Sequence, residues 1–488
     1  MIIDNFGKSI YISSMNCRSI LLKLILCVCF TNITSAQKFV LSPEINMRND
    51  FSYFLIPIGE YIHIVRDKAV KIILQSLSKN NVWSSEKELS LEGKKWNILD
   101  VFPHQDKIGV IYISKIEREI KCYYSIYDIQ GVKVYQRIIA DSLNVSSTES
   151  VNFQSSEDRN LVSIGIRDLQ NKSMIILFNR LEDSVYYVRP ADDIFEVKMA
   201  TADEAQLSNK GDFFLKFEVE TPNKVKVNHY PRVIGINSRG FKFVDLTLKS
   251  EFETFSTKMA IHQSGDGIVL GGLFKKPNES GILGYFTYVL SEVETPVFHL
   301  FDEKKIKEWT GKKNKTSLTN YDLQLNSIRF LEDGSNVLIM ENVKQYVRRP
   351  YFGAGLDNGG SFAASRWVDY YYDDIIVSCI NTKKEKVWET ILRKKQFSQD
   401  DDGINSSFFV VTNKSFLRFL FNDEIKNEST VSEYILLPNG QQTRKSVLNT
   451  SNSKLNLRIR EAVQIDRQII LIPNESNNRL SILRLYLN

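Results

Sequence analysis

The stretches LNSIRFLEDGSNVLIM at 325–340 and IIVSCINTKKEKVWETIL at 375–392 decide the fold. In the first, a tight turn at Asp333-Gly334 separates two runs, and the second of these is apolar. In the other stretch, an apolar run passes through the polar turn Asn381–Lys386 into a run that ends at Leu392. Short turns between such runs indicate β-hairpins. The region up to Gln396 is therefore predicted to form one four-stranded up-and-down sheet.

Similar β-rich runs, with turn signals about every 10–15 residues, recur along the chain from Gln37 onward. Repeated four-stranded units are typical of a β-propeller, which sets its sheets as blades around an axis. The runs group into eight units, whose first recognisable features lie near Phe51, Trp96, Val151, Phe213, Ser264, Leu325, Phe408 and Ala462. The predicted fold is therefore all-β with eight four-stranded blades. Seven blades remain an alternative, because unit length varies from about 40 to about 75 residues.

The last unit, around 462–487, offers only three runs. The short run Phe39-Val40-Leu41 near the other end of the chain is a spare strand that can complete it. Closing the ring in this way removes the unpaired edges that otherwise invite aggregation. Residues 37–488 are therefore predicted to form a single propeller domain.

Residues 1–36 have the pattern of a leader. Arg18 and Lys23 flank a hydrophobic run up to Phe30, and the segment ends in Thr34-Ser35-Ala36. This pattern is typical of a secretory signal peptide that starts at Met15 and is cleaved after Ala36. The mature protein is expected to be exported, to the periplasm, the cell surface or the medium.

Composition excludes some classes of function. The formal charge is only +5, with no concentrated basic face, which argues against nucleic-acid binding. No later stretch reaches the roughly 18 apolar residues of a membrane-spanning helix. Beyond the leader only Cys122 and Cys379 remain, and both are predicted to be free buried thiols.

One turn pattern recurs between the third and fourth strands of several units. It reads DIQGVKVY at 128–135, NSRGFKF at 237–243 and NTKKEKVW at 381–388. The pattern resembles the repeat of the pyrroloquinoline-quinone-like propellers. The stretch from Tyr371 to Gln396, with Asp400-Asp401-Asp402-Gly403, resembles a motif of exported propeller-like proteins of Bacteroidota, in which an Ala-Gln cleavage junction is also typical. The resemblance implies the fold but no cofactor site, because only Trp388 keeps the aromatic residue of the repeat in full.

The segment 346–372 is the most function-like feature, and it is predicted to be a loop inserted in the sixth unit. It combines glycines with aromatic and arginine side chains, which supply much of the recognition energy at interfaces. Alternatively, these aromatic side chains roof the propeller and pack on neighbouring blades. The candidate binding residues are Tyr346, Arg348, Arg349, Tyr351, Phe352, Trp367, Tyr370 and Tyr371.

Other chemistry is weakly indicated. Asp373-Asp374 and Asp400-Asp401-Asp402 could offer oxygen ligands to Ca²⁺, but adjacent aspartates cannot all face one ion, so exposed turn charges are preferred. The five histidines are scattered, no nucleophile motif occurs, and no cofactor is predicted. The sequence thus favours a non-catalytic binding or scaffold propeller with a protein or glycan partner. The alternative is a glycan-active enzyme with carboxylates at the axis.

Overall fold

The computed structural model describes most of the chain from Phe39 to Leu487. The described residues are 39–117, 119–143, 151–167, 173–188, 203–223, 226–237, 242–248, 251–261, 268–290, 295–310, 318, 322–348, 367–413, 415–425, 428–449 and 455–487. The predicted leader lies outside them.

The strands form eight antiparallel sheets arranged in a ring, each with four strands that follow one another in the sheet. Strands make up 66% of the described residues and helices 3%, so the fold is all-β. Blade 1 comprises β3 (Ser52–Ile58), β4 (Tyr61–Asp67), β5 (Ile72–Leu77) and β6 (Lys87–Leu89), and blade 2 comprises β7 (Lys95–His104), β8 (Lys107–Ile116), β9 (Glu119–Tyr127) and β10 (Lys133–Leu143). Blade 3 comprises β11 (Val151–Ser155), β12 (Leu161–Arg167), β13 (Ser173–Asn179) and β14 (Ser184–Val188). Blade 4 comprises β15 (Glu204–Leu207), β16 (Phe213–Asn223), β17 (Lys226–Ile236) and β18 (Lys242–Thr247).

Blades 5 to 8 complete the ring. Blade 5 comprises β19 (Glu253–Ile261), β20 (Ile268–Lys275), β21 (Ile282–Val289) and β22 (Val297–Leu300), and blade 6 comprises β23 (Leu323–Phe330), β24 (Asn336–Arg348), β25 (Trp367–Ile380), β26 (Lys386–Leu392) and an added strand, β27 (Gln396–Gln399). Blade 7 comprises β28 (Phe409–Thr412), β29 (Leu417–Ile425), β30 (Glu428–Leu436) and β31 (Gln442–Asn449). Blade 8 comprises β32 (Val463–Gln464), β33 (Ile469–Ser476) and β34 (Arg479–Tyr486), together with β1 (Phe39–Leu41) and β2 (Ile45–Asn46). A helix, α1 (Glu303–Thr310), precedes blade 6, and a 3-10 turn, Ile459–Glu461, precedes β32.

Successive residues of a strand point to opposite faces of its sheet, and in the ring each face meets a different neighbour. Strand β24 shows this directly. Val337 and Ile339 are fully buried against blade 7, whereas Leu338 and Met340 are fully buried against blade 5. Eight apolar clusters join the eight pairs of adjacent blades in the same way, including blade 8 with blade 1.

The outer strands are also linked around the rim. The Lys87 ammonium donates to Gln130 in the strand 3–strand 4 turn of the next blade. The Tyr135 hydroxyl donates to Asp183 in the corresponding turn of blade 3, at 2.6 Å, and the Trp388 indole donates to the Pro438 carbonyl in that of blade 7, at 2.6 Å. The recurring turn pattern of the sequence therefore supplies contacts between blades.

The two ends of the ring differ. The first strands of neighbouring blades contact one another and line the axis. Because the strands alternate in direction, the strand 2–strand 3 hairpins lie at the same end as the connections between blades. We call this end the interblade face. The hairpins of blades 4 and 6 are the longest among the described residues, paired as far as Asn223–Lys226 and Arg348–Trp367.

The N-terminal segment closes the ring, as the sequence predicts. In β1, Val40 pairs with Arg484 and Leu41 with Leu483 on the outer edge of β34, which completes blade 8. The segment continues between blades 8 and 1, where Ile45 and Met47 are buried. Beyond it, the buried Arg66 of blade 1 donates to the Asp50 carboxylate at 3.0 Å. The first and the last strands of the described residues are thus held in one closing joint.

The described structure confirms several other expectations. The count is eight blades and not seven. Cys122 and Cys379 are free and buried, as expected. Within the described residues, no helix has the length and apolar character that a membrane span needs.

Substitution of a closing residue should measure the strength of this joint. Ile45 is 7% exposed, so Ile45→Ala is expected to lower the free energy of unfolding by about 2–5 kcal/mol through the cavity it leaves. Val70 is 82% exposed, and Val70→Ala should change the free energy of unfolding by less than about 0.5 kcal/mol. Denaturant titration checks both values. Equal, near-zero effects would show that the N-terminal segment is not docked in solution.

Candidate functional site

The structure places the sequence-predicted site on strands where a loop was expected. Tyr346 and Arg348 end β24, and Trp367, Tyr370 and Tyr371 begin β25. The two strands pair throughout this part, with Arg348 opposite Trp367. Of the remaining candidates, Arg349, Tyr351 and Phe352 lie outside the described residues.

A third strand, which the sequence analysis missed, widens this hairpin. Strand β27 follows blade 6 and pairs with the outer half of β25, so that Phe397 lies opposite Tyr371 and Gln399 opposite Asp369. We call these three strands, Lys344–Arg348, Trp367–Tyr372 and Gln396–Gln399, the blade 6 extension. The signal for β27 was the alternation QFSQ at 396–399, which is too short to stand out in the sequence.

The two faces of the extension have different surroundings. One face carries Gln345, Tyr370 and Tyr372 and continues the side of β24 that packs on blade 7. The other carries Tyr346, Tyr371 and Phe397 and continues the side that packs on blade 5. The second strand of blade 5 ends at Lys275, whereas β24 continues to Arg348, eight residues beyond Met340, its last residue in the apolar cluster shared with blade 5. We call this second face the open face.

Aromatic side chains form a contiguous group on the open face. The Tyr346 and Tyr371 ring centroids lie 5.8 Å apart, edge to face, and those of Tyr371 and Phe397 lie 5.1 Å apart. Tyr346 is 54% exposed, Phe397 is 38% exposed, and Trp367, further along the same face, is 48% exposed. Such a group of exposed rings on paired strands is the kind of surface that marks interaction sites.

Charged groups lie between the rings. The Arg348 guanidinium donates from Nε to Oδ2 of the buried Asp369, and this bond raises the pKa of Arg348. Burial and the neighbouring Asp374 raise the pKa of Asp373, while the ammonium of Lys344 acts in the opposite direction on it. The cations of the open face thus each have a carboxylate nearby.

The other face of the extension is fastened to the connections after blades 6 and 7. The Tyr370 hydroxyl donates to Asp402 at 2.8 Å. The Arg460 guanidinium lies 5.2 Å from the centre of the Tyr372 ring and donates to the Gly403 carbonyl. Tyr370 and Tyr372 therefore fasten this face to the ring, although Val347 near the end of β24 on the same face is 55% exposed.

A buried ion pair supports the base of the extension. The Lys394 ammonium lies 2.7 Å from Glu341 Oε1 and donates to the Tyr372 carbonyl at 2.8 Å. Ser407 donates to the other Glu341 oxygen at 2.6 Å. Burial lowers the pKa of Lys394, and Glu341 acts against this shift. Breaking such a pair on one side leaves an uncompensated buried charge, so the base of the extension is rigid.

The neighbouring aspartates face different partners. Asp400 accepts the Val368 N–H, Asp401 accepts the Gly403 N–H, and Asp374 accepts from Arg393. These carboxylates therefore cap turns and hold the extension. Among the described residues, no three His, Cys, Asp or Glu side chains are grouped so that they could hold a metal ion.

A second polar cluster lies nearer the axis, between blades 4 and 5. The buried Lys216 ammonium lies 3.6 Å from Glu204 and 3.7 Å from Glu218, and donates to the Thr257 hydroxyl at 2.8 Å. That hydroxyl donates to Glu218, and the backbone N–H of Met259 donates to Glu204. Both carboxylates are thus engaged by protein donors.

The fold and this surface define an eight-bladed β-propeller with an extended sixth blade. No protein-family model and no curated protein matches the sequence. The resemblance to quinone-type repeats and to exported propellers of Bacteroidota therefore stays a prediction.

Solved structures are similar to the chain only at a distance. They include a puromycin hydrolase complexed with PGG (8% identity, TM-score 0.36, 76% of this chain and 50% of that one). The dihydro-haem d1 dehydrogenase NirN in complex with DHE also matches, with 9% identity and a TM-score of 0.41 over 90% of this chain and 73% of that one. The WD40 domain of SCAP from fission yeast matches with 8% identity and a TM-score of 0.32 over 93% of this chain and 98% of that one. The chain spans about half the length of the puromycin hydrolase and of a matching prolyl endopeptidase. At these scores the likenesses carry no argument about activity.

Gly403→Ala should test how the extension is fastened. A Cβ at this position would lie 2.6 Å from Tyr372 Cε2, and the backbone φ is +63°. Gly59 has a similar φ of +57° with open space around it, so Gly59→Ala reports the backbone cost alone, about 1–2 kcal/mol. At Gly403, overpacking against Tyr372 should lower the free energy of unfolding by about 1–3 kcal/mol more than the backbone cost alone, and denaturant titration measures both. A Gly403→Ala cost no larger than that of Gly59→Ala would contradict the contact.

The pH dependence of stability should reveal the cost of charging Asp373. Because its pKa is raised on folding, the folded protein holds this proton more tightly than the unfolded chain does. Stability is therefore lost as pH rises through the folded pKa, and Asp373→Asn should be more stable than the parent at pH 7.

The stability gain of Asp373→Asn should vanish below about pH 4, where the parent carboxyl is protonated in both the folded and the unfolded state. Thermal unfolding at several pH values checks it. The control is Asp106→Asn, because Lys107 lowers the pKa of Asp106 and the sign should reverse. A pH-independent gain at Asp373 would mean that its charge is not the cause.

Proposed function

We propose that this protein is a non-catalytic binding or scaffold propeller, with the open face of the blade 6 extension as its contact surface. The observation that carries the proposal is the exposure of Tyr346, Trp367 and Phe397 on a hairpin whose opposite face is fastened to the ring. Rings that are already held in position lose little conformational freedom on binding, so more of their contact energy becomes affinity. Protein and glycan are the two partner classes that this surface suits.

The rival function is a glycan-active enzyme, and the Glu204–Glu218 pair is the observation that favours it. Two carboxylates on one site are the usual machinery of glycoside hydrolysis. Here, however, they share the Lys216 ammonium and accept hydrogen bonds from Thr257 and Met259. Carboxylates held in this way serve to join blades 4 and 5, so we prefer the binding function.

The leader pattern of residues 1–36 supports export, and we place the site of action in the cell envelope or outside the cell. In that setting, a rigid propeller with one adhesive hairpin is suited to holding a partner at a surface. No step of this proposal needs a cofactor or metal.

Site-directed photo-crosslinking in the producing cells tests the proposal. The photoreactive residue p-benzoylphenylalanine, placed at Tyr346, should give discrete adducts, because the open face is expected to be in contact with its partner. Tyr61 is the matched control: it is 47% exposed and lies by the β3–β4 turn, at the opposite end of the ring. Equal labelling from positions 346 and 61, or labelling from 61 alone, would refute the open face as the contact surface.

A further inference from the structure

The side chains of the open face alternate between aromatic and polar along each strand. The register places Lys344, Tyr371 and Phe397 in one row across the strands. The next row holds Tyr346, Asp369 and Gln399, and the last holds Arg348 and Trp367. The platform extends about 13 Å along β25 and about 10 Å across the three strands. Each ring thus has a polar or charged neighbour.

This alternation argues against a protein partner. The core of a protein–protein interface is depleted of charged residues and presents contiguous apolar surface. On the open face, the ion pair of Arg348 with Asp369 lies between the Tyr346 and Trp367 rings. Burying the whole face against a protein would desolvate this pair, which often costs more than it returns.

The charge balance argues against a polyanion. Arg348 is bonded to Asp369, and Lys344 lies in the field of Asp373. With Asp373, which follows the extension directly after Tyr372, these two cations and two carboxylates balance in charge. A nucleic acid or acidic polysaccharide would gain little Coulomb energy here and would be repelled by the carboxylates. The complementary ligand is uncharged, with apolar faces for the rings and many hydrogen-bonding groups.

One buried atom points to the same ligand chemistry. Asp369 lies at the centre of the platform, and its Oδ1 accepts no hydrogen bond from the described residues. A buried acceptor without a donor costs about 1–3 kcal/mol. The Arg348 side chain, which is bonded to the other oxygen of Asp369, is 58% exposed, so this acceptor lies next to solvent. A ligand hydroxyl could then donate to Asp369 while a neighbouring ring stacks on the ligand.

We propose that the open face binds a neutral polysaccharide, with Tyr346 and Trp367 as stacking platforms for sugar rings and Asp369 as a central acceptor for a hydroxyl group. This inference rests on the proposed binding function and names its partner class. Neutral sugars combine apolar C–H faces with hydroxyl edges, which matches the alternation of the platform.

Affinity gel electrophoresis of the whole protein tests the inference. The probes cast into the gels are a mixed-linkage glucan, a xylan and a mannan, with alginate as the acidic comparison. A neutral polymer should retard the protein, and Tyr346→Ala and Trp367→Ala should each weaken binding about tenfold. Tyr61→Ala, at the other end, should bind as the parent does, and Tyr346→Phe, which keeps the ring, should bind more tightly than Tyr346→Ala. Asp369→Asn should weaken binding even where both rings remain.

Titration of the retarding polymer at rising salt adds a second readout. Because the ligand is uncharged, its affinity should stay constant from about 50 to about 500 mM NaCl. Retardation by alginate alone, lost with salt, would overturn the neutral ligand. Retardation that the two Ala variants leave unchanged would place sugar binding elsewhere. If position 346 gives polypeptide adducts in cells and no neutral polymer retards the protein, the glycan inference fails while the binding function stands.

Discussion

The structure depends on one constraint: each blade has two apolar faces, and each face can be buried only against a neighbouring blade. In a strand such as β24 the even-numbered and odd-numbered residues therefore serve two different clusters. A row of such sheets always leaves two uncovered faces and two open edges, so only a closed ring satisfies all of them. The closing joint of β1, β2 and Arg66 follows from this requirement, as does the packing of blade 8 on blade 1.

The same constraint explains why the fold was readable in the sequence. Alternating runs bounded by turn signals specify strands locally, and the missing fourth run of the last unit specified its partner at the other end of the chain. The recurring Asp/Asn turn pattern was also visible, although its reason was not. Only the structure shows that Trp388 and Tyr135 reach the turn of the next blade. Contacts of this kind depend on the placement of whole sheets, which no local pattern encodes.

The candidate site was predictable in composition but not in geometry. Gly-rich sequence between Tyr346 and Trp367 suggested a loop, because glycine and clustered aromatic residues do not specify a strand end. The structure continues both strands outward and adds Phe397 from a segment beyond the blade. The sequence alone also could not show which aromatic rings are exposed, since Tyr370 and Tyr371 are adjacent in sequence and lie on opposite faces. That assignment depends on strand parity through the irregular register between Glu341 and Val343.

The site arises where the rule of buried faces stops applying. Within the ring, a sheet face without a neighbour would be a defect, and the chain removes every such face by closure. Blade 6 extends past blade 5 at the interblade face, so one of its faces has no neighbouring blade there among the described residues. Its opposite face keeps contacts through Tyr372, Gly403 and Arg460, which supply the rigidity that the missing neighbour would otherwise give. The polar groups between the exposed rings keep this surface soluble. A free, rigid and charge-balanced sheet face is therefore what a propeller gains by lengthening one blade, and it is a property suited to binding.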